Sequence, residues 1–135
     1  MAYYLLKEKI AYCRGDAEKL PIEAEIVDYA FANMFLHHVE RPSVVIKELV
    51  RILKPSGMLV ITDLDAHNFE FLKKEHYDRW MGFKRDDVKR WFDEAGLKNV
   101  MVDCVGENCC SPSCCGDEYA NVSIFVAYGK KILEG

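Results

Sequence analysis

Apolar residues fall along this chain in two rhythms, short near-continuous runs and stripes at helical spacing, and their alternation lays out the expected elements. A first short run, Ile10–Cys13, ends in Arg14-Gly15-Asp16-Ala17-Glu18 and then Leu20-Pro21, which predicts a strand entering a loop. From Ile26 to Phe31 only Asp28 interrupts the apolar residues, so Glu25–Asn33 has the pattern of a strand covered on both faces. Pro42 suits a first helical turn, and Val45, Ile46, Leu49, Ile52 and Leu53 recur at helical spacing until Lys54-Pro55-Ser56-Gly57 stops them. Gly57–Leu64 is rich in branched residues and predicts a central strand. Strand, helix and strand in this order form the βαβ unit of a parallel sheet.

Phe69, Leu72 and His76 are spaced for one helical face, with Trp80 nearby. A stronger signal covers Lys84–Ala95, where Val88, Trp91, Phe92 and Ala95 share one face, Asp86 and Asp87 favour the N-terminus, and Gly96 can end the helix. Lys98–Cys104 alternates like a strand, and Val122–Tyr128 reads as the last one. Between them lies a cysteine-rich loop, 104–116. No internal repeat or linker divides the chain, so residues 1–135 are expected to form a single α/β domain.

Composition narrows the function. With 135 residues, 50% of them apolar, the chain can bury one core. Its net charge of −4 is mild and its lysines and arginines are scattered among acids, which excludes the concentrated basic face of a nucleic-acid binder. No apolar run reaches the roughly 20 residues that cross a bilayer, and the start lacks the basic and long apolar regions of a signal peptide. These features predict a cytoplasmic protein without a membrane partner. In that compartment the six cysteines stay reduced and do not make a disulfide framework.

Taken in order, GDAEKLP, the strand ending in FANMFLHHV, the helix closing with ELVRILKPSG and the strand MLVITDLD resemble the class I S-adenosylmethionine-dependent methyltransferases, in their small-molecule branch. The resemblance runs from about Ile10 to Val102 and implies a Rossmann-like sheet, mostly parallel with an antiparallel last strand. It also implies S-adenosylmethionine as cofactor and a small-molecule substrate. On the matching residues, Asp16 corresponds to the acid that hydrogen-bonds the adenine amino group, with the backbone of Ala17 alongside. Asn33 and Met34, ending the family's fourth strand, would face the methionine part of the cofactor, and His37 follows in the LHH segment. The family's glycine-rich first turn and its acid-ended second strand have no counterpart here. The expectation is therefore an incomplete, truncated sheet, inactive alone, joined to a second copy as a homodimer or to a complementing N-terminal fragment through the open edge of Ile26–Phe31.

Individual residues leave alternatives open. His37 and His38 invite a general-base reading, against one in which one packs beneath the sheet end and the other lines the pocket. Asp63, Asp65 and His67 cluster where open α/β sheets place ligands, and could orient a substrate or, with His76, bind a metal. Tyr77 and Trp80 could form a lid or simply pack on the sheet. No catalytic base is evident. Cys104, Cys109, Cys110, Cys114 and Cys115 crowd around a Ser-Pro turn, which could bring soft thiolate ligands together around a metal ion or metalloid; some members of the resembling family methylate arsenite held by cysteines. An inert loop and a redox sensor are the other readings of these thiols, and a non-catalytic module that captures a soft ion is the alternative function.

Overall fold

The computed structural model describes residues 13–67, 80–112 and 119–132. Four strands and two helices follow one another as β1 (Val27–Asn33), α1 (Pro42–Ile52), β2 (Leu53–Leu64), α2 (Arg85–Glu94), β3 (Leu97–Pro112) and β4 (Tyr119–Lys131), with a short 3-10 turn at Leu36–His38. The sheet order is β1-β2-β4-β3. β1 and β2 are parallel, and β4 runs antiparallel to both β2 and β3. Three strands therefore share one direction and the last is reversed between two of them, the expected mixed α/β sheet.

Both helices pack on one face. Val45, Ile46 and Val50 of α1 and Val88 and Phe92 of α2 join Ala30, Leu59, Ile61, Phe125 and Ala127 in a single buried cluster. Burying Phe92, Phe125, Leu59 and Ile61 completely removes several hundred Å² of apolar surface from water, at roughly 25 cal/mol per Å². The C-terminus of α1 is closed from far along the chain, because Lys131 Nζ donates to the carbonyls of Val50 and Leu53 at 3.0 and 2.8 Å. On its outer side α1 holds the loop before β1: Glu48 accepts from Leu20 N, and Arg51 donates to the carbonyls of Leu20 and Ile22.

Several elements differ from their sequence patterns. β1 is not covered on both faces, since Tyr29 and Phe31 are 62% and 71% exposed while Ala30 and Ala32 are buried. β1 is an edge strand among the described residues, and the helices cover one side only. β2 starts at Leu53, four residues before Gly57, because Val27 pairs with Leu53 and the KPSG segment is absorbed as an irregularity, with Ser56 at φ 72. The turn chemistry is present, but it bends the strand instead of preceding it.

The larger correction concerns the cysteine-rich loop. Residues 104–112 are strand: Cys104 lies opposite Phe125, Cys109 opposite Val122 and Cys110 opposite Asn121, and only beyond Pro112 does β3 end. Pro112 is tolerated at that end because β3 is an edge strand and needs no ladder donor there. Cys114 and Cys115 lie outside the described residues, as do residues 10–12 of the expected first strand and Phe69, Leu72, His76 and Tyr77.

Past β2 the chain turns back at Gly82 (φ 72), where a Cβ would stand 2.0 Å from the Asp65 carbonyl oxygen. This close approach allows Phe83 N to donate to Leu64 O and Ala66 N to Phe83 O. Gly96 also has a positive φ, but faces open space. Chemical denaturation is expected to show Gly96→Ala costing about 1–2 kcal/mol from backbone strain alone. Gly82→Ala should cost roughly 1–3 kcal/mol more, because the backbone must move.

Candidate functional site

The site forms where β1 and β2 end. Asn33 closes β1, and its side-chain oxygen accepts a short hydrogen bond from the Thr62 hydroxyl of β2. Met34 then takes a left-handed conformation (φ 54) while its N–H donates to Thr62 O at 2.8 Å, which turns the chain sharply off the sheet. The loop held on α1 stands opposite. In it, Asp16 Oδ1 accepts from Glu18 N at 2.8 Å and its carbonyl accepts from Lys19 N at 3.0 Å, a side-chain-supported turn that leaves Ala17 half-buried. Arg41, preceding α1, pairs with Glu18 and ties this turn to the helix start.

A cleft of about 320 Å³ opens between the two, bordered by Gly15, Ala17, Leu20, Asn33, Phe35 and Val45. A second cleft of about 390 Å³ shares Ala17 and Val45 with it and is bordered also by Asp16 and His38. The first is mainly apolar and the second polar. Ala17 borders both clefts, beside Asn33 in the first and Asp16 in the second, with Met34 at the turn next to Asn33.

His37 departs from the cofactor-facing position expected for it. The residue is 6% exposed and its Nδ1 lies 2.6 Å from Asp63 Oδ1, while its backbone N–H donates to Asp63 Oδ2 at 3.1 Å. Asp63 is fully buried and also accepts from Leu64 N at 2.7 Å. A carboxylate out of water needs such donors, and the residue after the turn supplies two of the three. His38 is exposed, with its ring 4.1 Å from that of His37, and is the one at the cleft.

The other residues of the β2 terminus also have structural partners. Arg85 grips Asp65 with two parallel bonds of 2.8 and 2.9 Å, and the Ser123 hydroxyl donates to the same carboxylate. Arg85 and Ser123 together hold the Asp65 carboxyl below its ordinary range, against the opposing effect of burial. His67 N donates to Met81 O, and Trp80 donates through its backbone and indole N–H groups to the carbonyls of His37 and Val39. Among the described residues no three His, Cys, Asp or Glu side chains group as a metal site. Cys104 instead lies beside the Arg85 guanidinium. Arg85, Ser123 and Thr62 drew no notice in the sequence, although a cation in the first turn of α2 opposes the helix dipole and signals an acid brought from elsewhere.

A methyltransferase domain matches residues 3–61. A demethylmenaquinone methyltransferase of Staphylococcus aureus is 30% identical over 122 residues, covering 70% of this chain and 50% of that protein. An S-adenosylmethionine-dependent methyltransferase of Thermotoga maritima superposes with a TM-score of 0.66 at 23% identity, over 93% of this chain and 66% of that one. The chain shares the fold of these proteins and resembles the class I S-adenosylmethionine-dependent methyltransferases in sequence. A phosphoethanolamine N-methyltransferase of Haemonchus contortus, solved with S-adenosylhomocysteine, shares the methyltransferase fold at a TM-score of 0.67 and 13% identity, over 87% of this chain and 36% of its own. The chain spans about half the length of the curated relatives it matches. No helix among the described residues is long and apolar enough to cross a membrane.

The Asp65–Arg85 pair sets a pH dependence for this methyltransferase fold. Because the folded carboxyl titrates below its ordinary value of 3.8, the pair contributes stability above that value and loses it as pH falls through the folded one. Asp65→Asn is expected to cost about 1–2 kcal/mol at pH 7, a modest figure because the Arg85 side chain is 38% exposed. The gap between wild type and variant, followed by urea unfolding, should stay level from pH 7 to 5 and close between pH 4 and 2.

Proposed function

We propose that this chain binds S-adenosylmethionine in the cleft between the Asp16–Ala17 turn and the Asn33–Met34 corner, as part of a cytoplasmic methyltransferase acting on a small molecule. The observation that carries the reading is the meeting of these two segments at the carboxyl ends of parallel strands, the place where open α/β sheets hold ligands. The donor set suits the adenosine end of the cofactor. Leu20, Phe35 and Val45 offer apolar walls for a flat base, Asp16 offers a carboxylate for its amino group, and Asn33 offers a polar side chain at the far side. When bound, the cofactor supplies a methyl group on a sulfonium, which transfers by in-line displacement, so the protein's work is mainly orientation.

Among the described residues the lining includes no glycine-rich turn. We therefore assign the chain alone little or no methyl transfer and propose that it works with a second polypeptide, either another copy or a complementing N-terminal fragment, laid along the β1 edge. The exposed, mutually stacked Tyr29 and Phe31 support this edge as the contact.

Titration calorimetry with S-adenosylmethionine and its demethylated product tests the first part. Micromolar binding that weakens about tenfold in Asp16→Ala, the loss of one charge-assisted hydrogen bond, is the expected result. No heat up to millimolar ligand would refute a surviving cofactor site. For the second part, light scattering at micromolar concentration should give a mass above the monomer for wild type and a monomer for Phe31→Lys.

A further inference from the structure

We propose that Asp63 is a positioning residue for the cleft: acting through His37, it sets where the Asn33–Val39 wall stands. The inference rests on the cofactor-binding reading above for its functional consequence, though not for its geometry. Three facts carry it. Asp63 is on β2, fully buried, and two of its three hydrogen bonds go to His37, 26 residues earlier in sequence. The segment they hold is short, with only His38 N to Phe35 O (3.0 Å) and Val39 N to Leu36 O (3.3 Å) inside it. Such a turn cannot hold its own position, because a single 3-10 turn has few internal bonds.

Second, the same turn is gripped from the outside. Trp80 N donates to His37 O at 3.1 Å and Trp80 Nε1 to Val39 O at 2.8 Å. His37 is therefore held on one side by a buried charge and on the other by a tryptophan. Third, the residues flanking this anchor, Asn33, Phe35 and His38, are the ones that border the two clefts. His37 borders neither, so it and Asp63 would act on a ligand through the wall they hold in place. Binding geometry is sensitive to displacements of this kind on the scale of an ångström.

The pairing also fixes the imidazole. With Nδ1 donating to a carboxylate, the neutral ring carries its proton on Nδ1. Asp63→Asn replaces one acceptor oxygen with a donor and removes the charge, while His37→Asn keeps an N–H near the Nδ1 position and His37→Phe does not.

The test combines calorimetry with S-adenosylmethionine, amide hydrogen exchange and 15N spectra of the imidazole. Leu59→Ala, a buried position on the helix-facing side of β2, controls for general destabilisation. Asp63→Asn and His37→Phe should weaken cofactor binding about tenfold or more and speed exchange at His38 and Val39, leaving Ile61 and Ala127 protected. His37→Asn should recover most of both, and Leu59→Ala should show neither effect. The wild-type Nδ1 should give a protonated signal that is lost in Asp63→Asn. If Asp63→Asn fails to fold, the two His37 variants decide the matter. Wild-type exchange at the turn in Asp63→Asn or His37→Phe, or an equal effect from Leu59→Ala, would overturn the proposal. Failure of wild type to bind the cofactor would refute the functional reading alone, and turn exchange would still decide the positioning role.

Discussion

A carboxylate carried wholly out of water has to be met by donors, and the way Asp63 is met organises the ligand end of this molecule. One donor is the next residue on β2, but two belong to His37, so the chain leaving β1 must fold back across the end of β2. The left-handed turn at Met34 makes that reversal possible. Once the reversal is made, Phe35 and His38 stand over the strand ends, and the loop tethered to α1 by Glu48 and Arg51 closes the other side. The cleft is thus a space between two loops, each moored to regular structure by a charged side chain.

The sheet beneath is asymmetric. On one face, helices seal the core; on the other, a row made of Phe31, Val60, Tyr128 and Met101 crosses all four strands. Parallel sheets are usually covered on both faces because their side chains are apolar on both. The described residues supply one cover. The exposure of Phe31 and Met101, at the two edges of the row, follows directly from that.

Much of this was legible in the sequence. The spacing of Val45, Ile46 and Leu49, and of Val88 and Phe92, located both helices to within a residue or two, because the buried stripe of a two-layer protein repeats at the helical period. Of the positions taken from the resemblance, Ala17 and Asn33 border the first cleft and Asp16 and Ala17 the second. What the pattern could not convey was pairing. An apolar run such as that in β1 looks the same whether one or both faces are covered. A cysteine-rich segment with Ser-Pro reads as a loop until a partner strand is known to lie alongside it, as β4 does through residue 112. Likewise, the partners that Asp63 and Asp65 take from other elements lie 20 to 58 residues away, beyond any local period.

The position of β4 has a consequence for how the chain is assembled. It is the last strand in sequence, yet it lies between β2 and β3 and delivers Phe125 and Ala127 to the centre of the core. β2 and β3 therefore share no ladder of their own, and each finds its partner on that side only when β4 is in place. A ribosome-bound chain stopped before Tyr119 would have no closed core and two sticky margins, which makes this fold dependent on completing its last segment before it can be safe from aggregation.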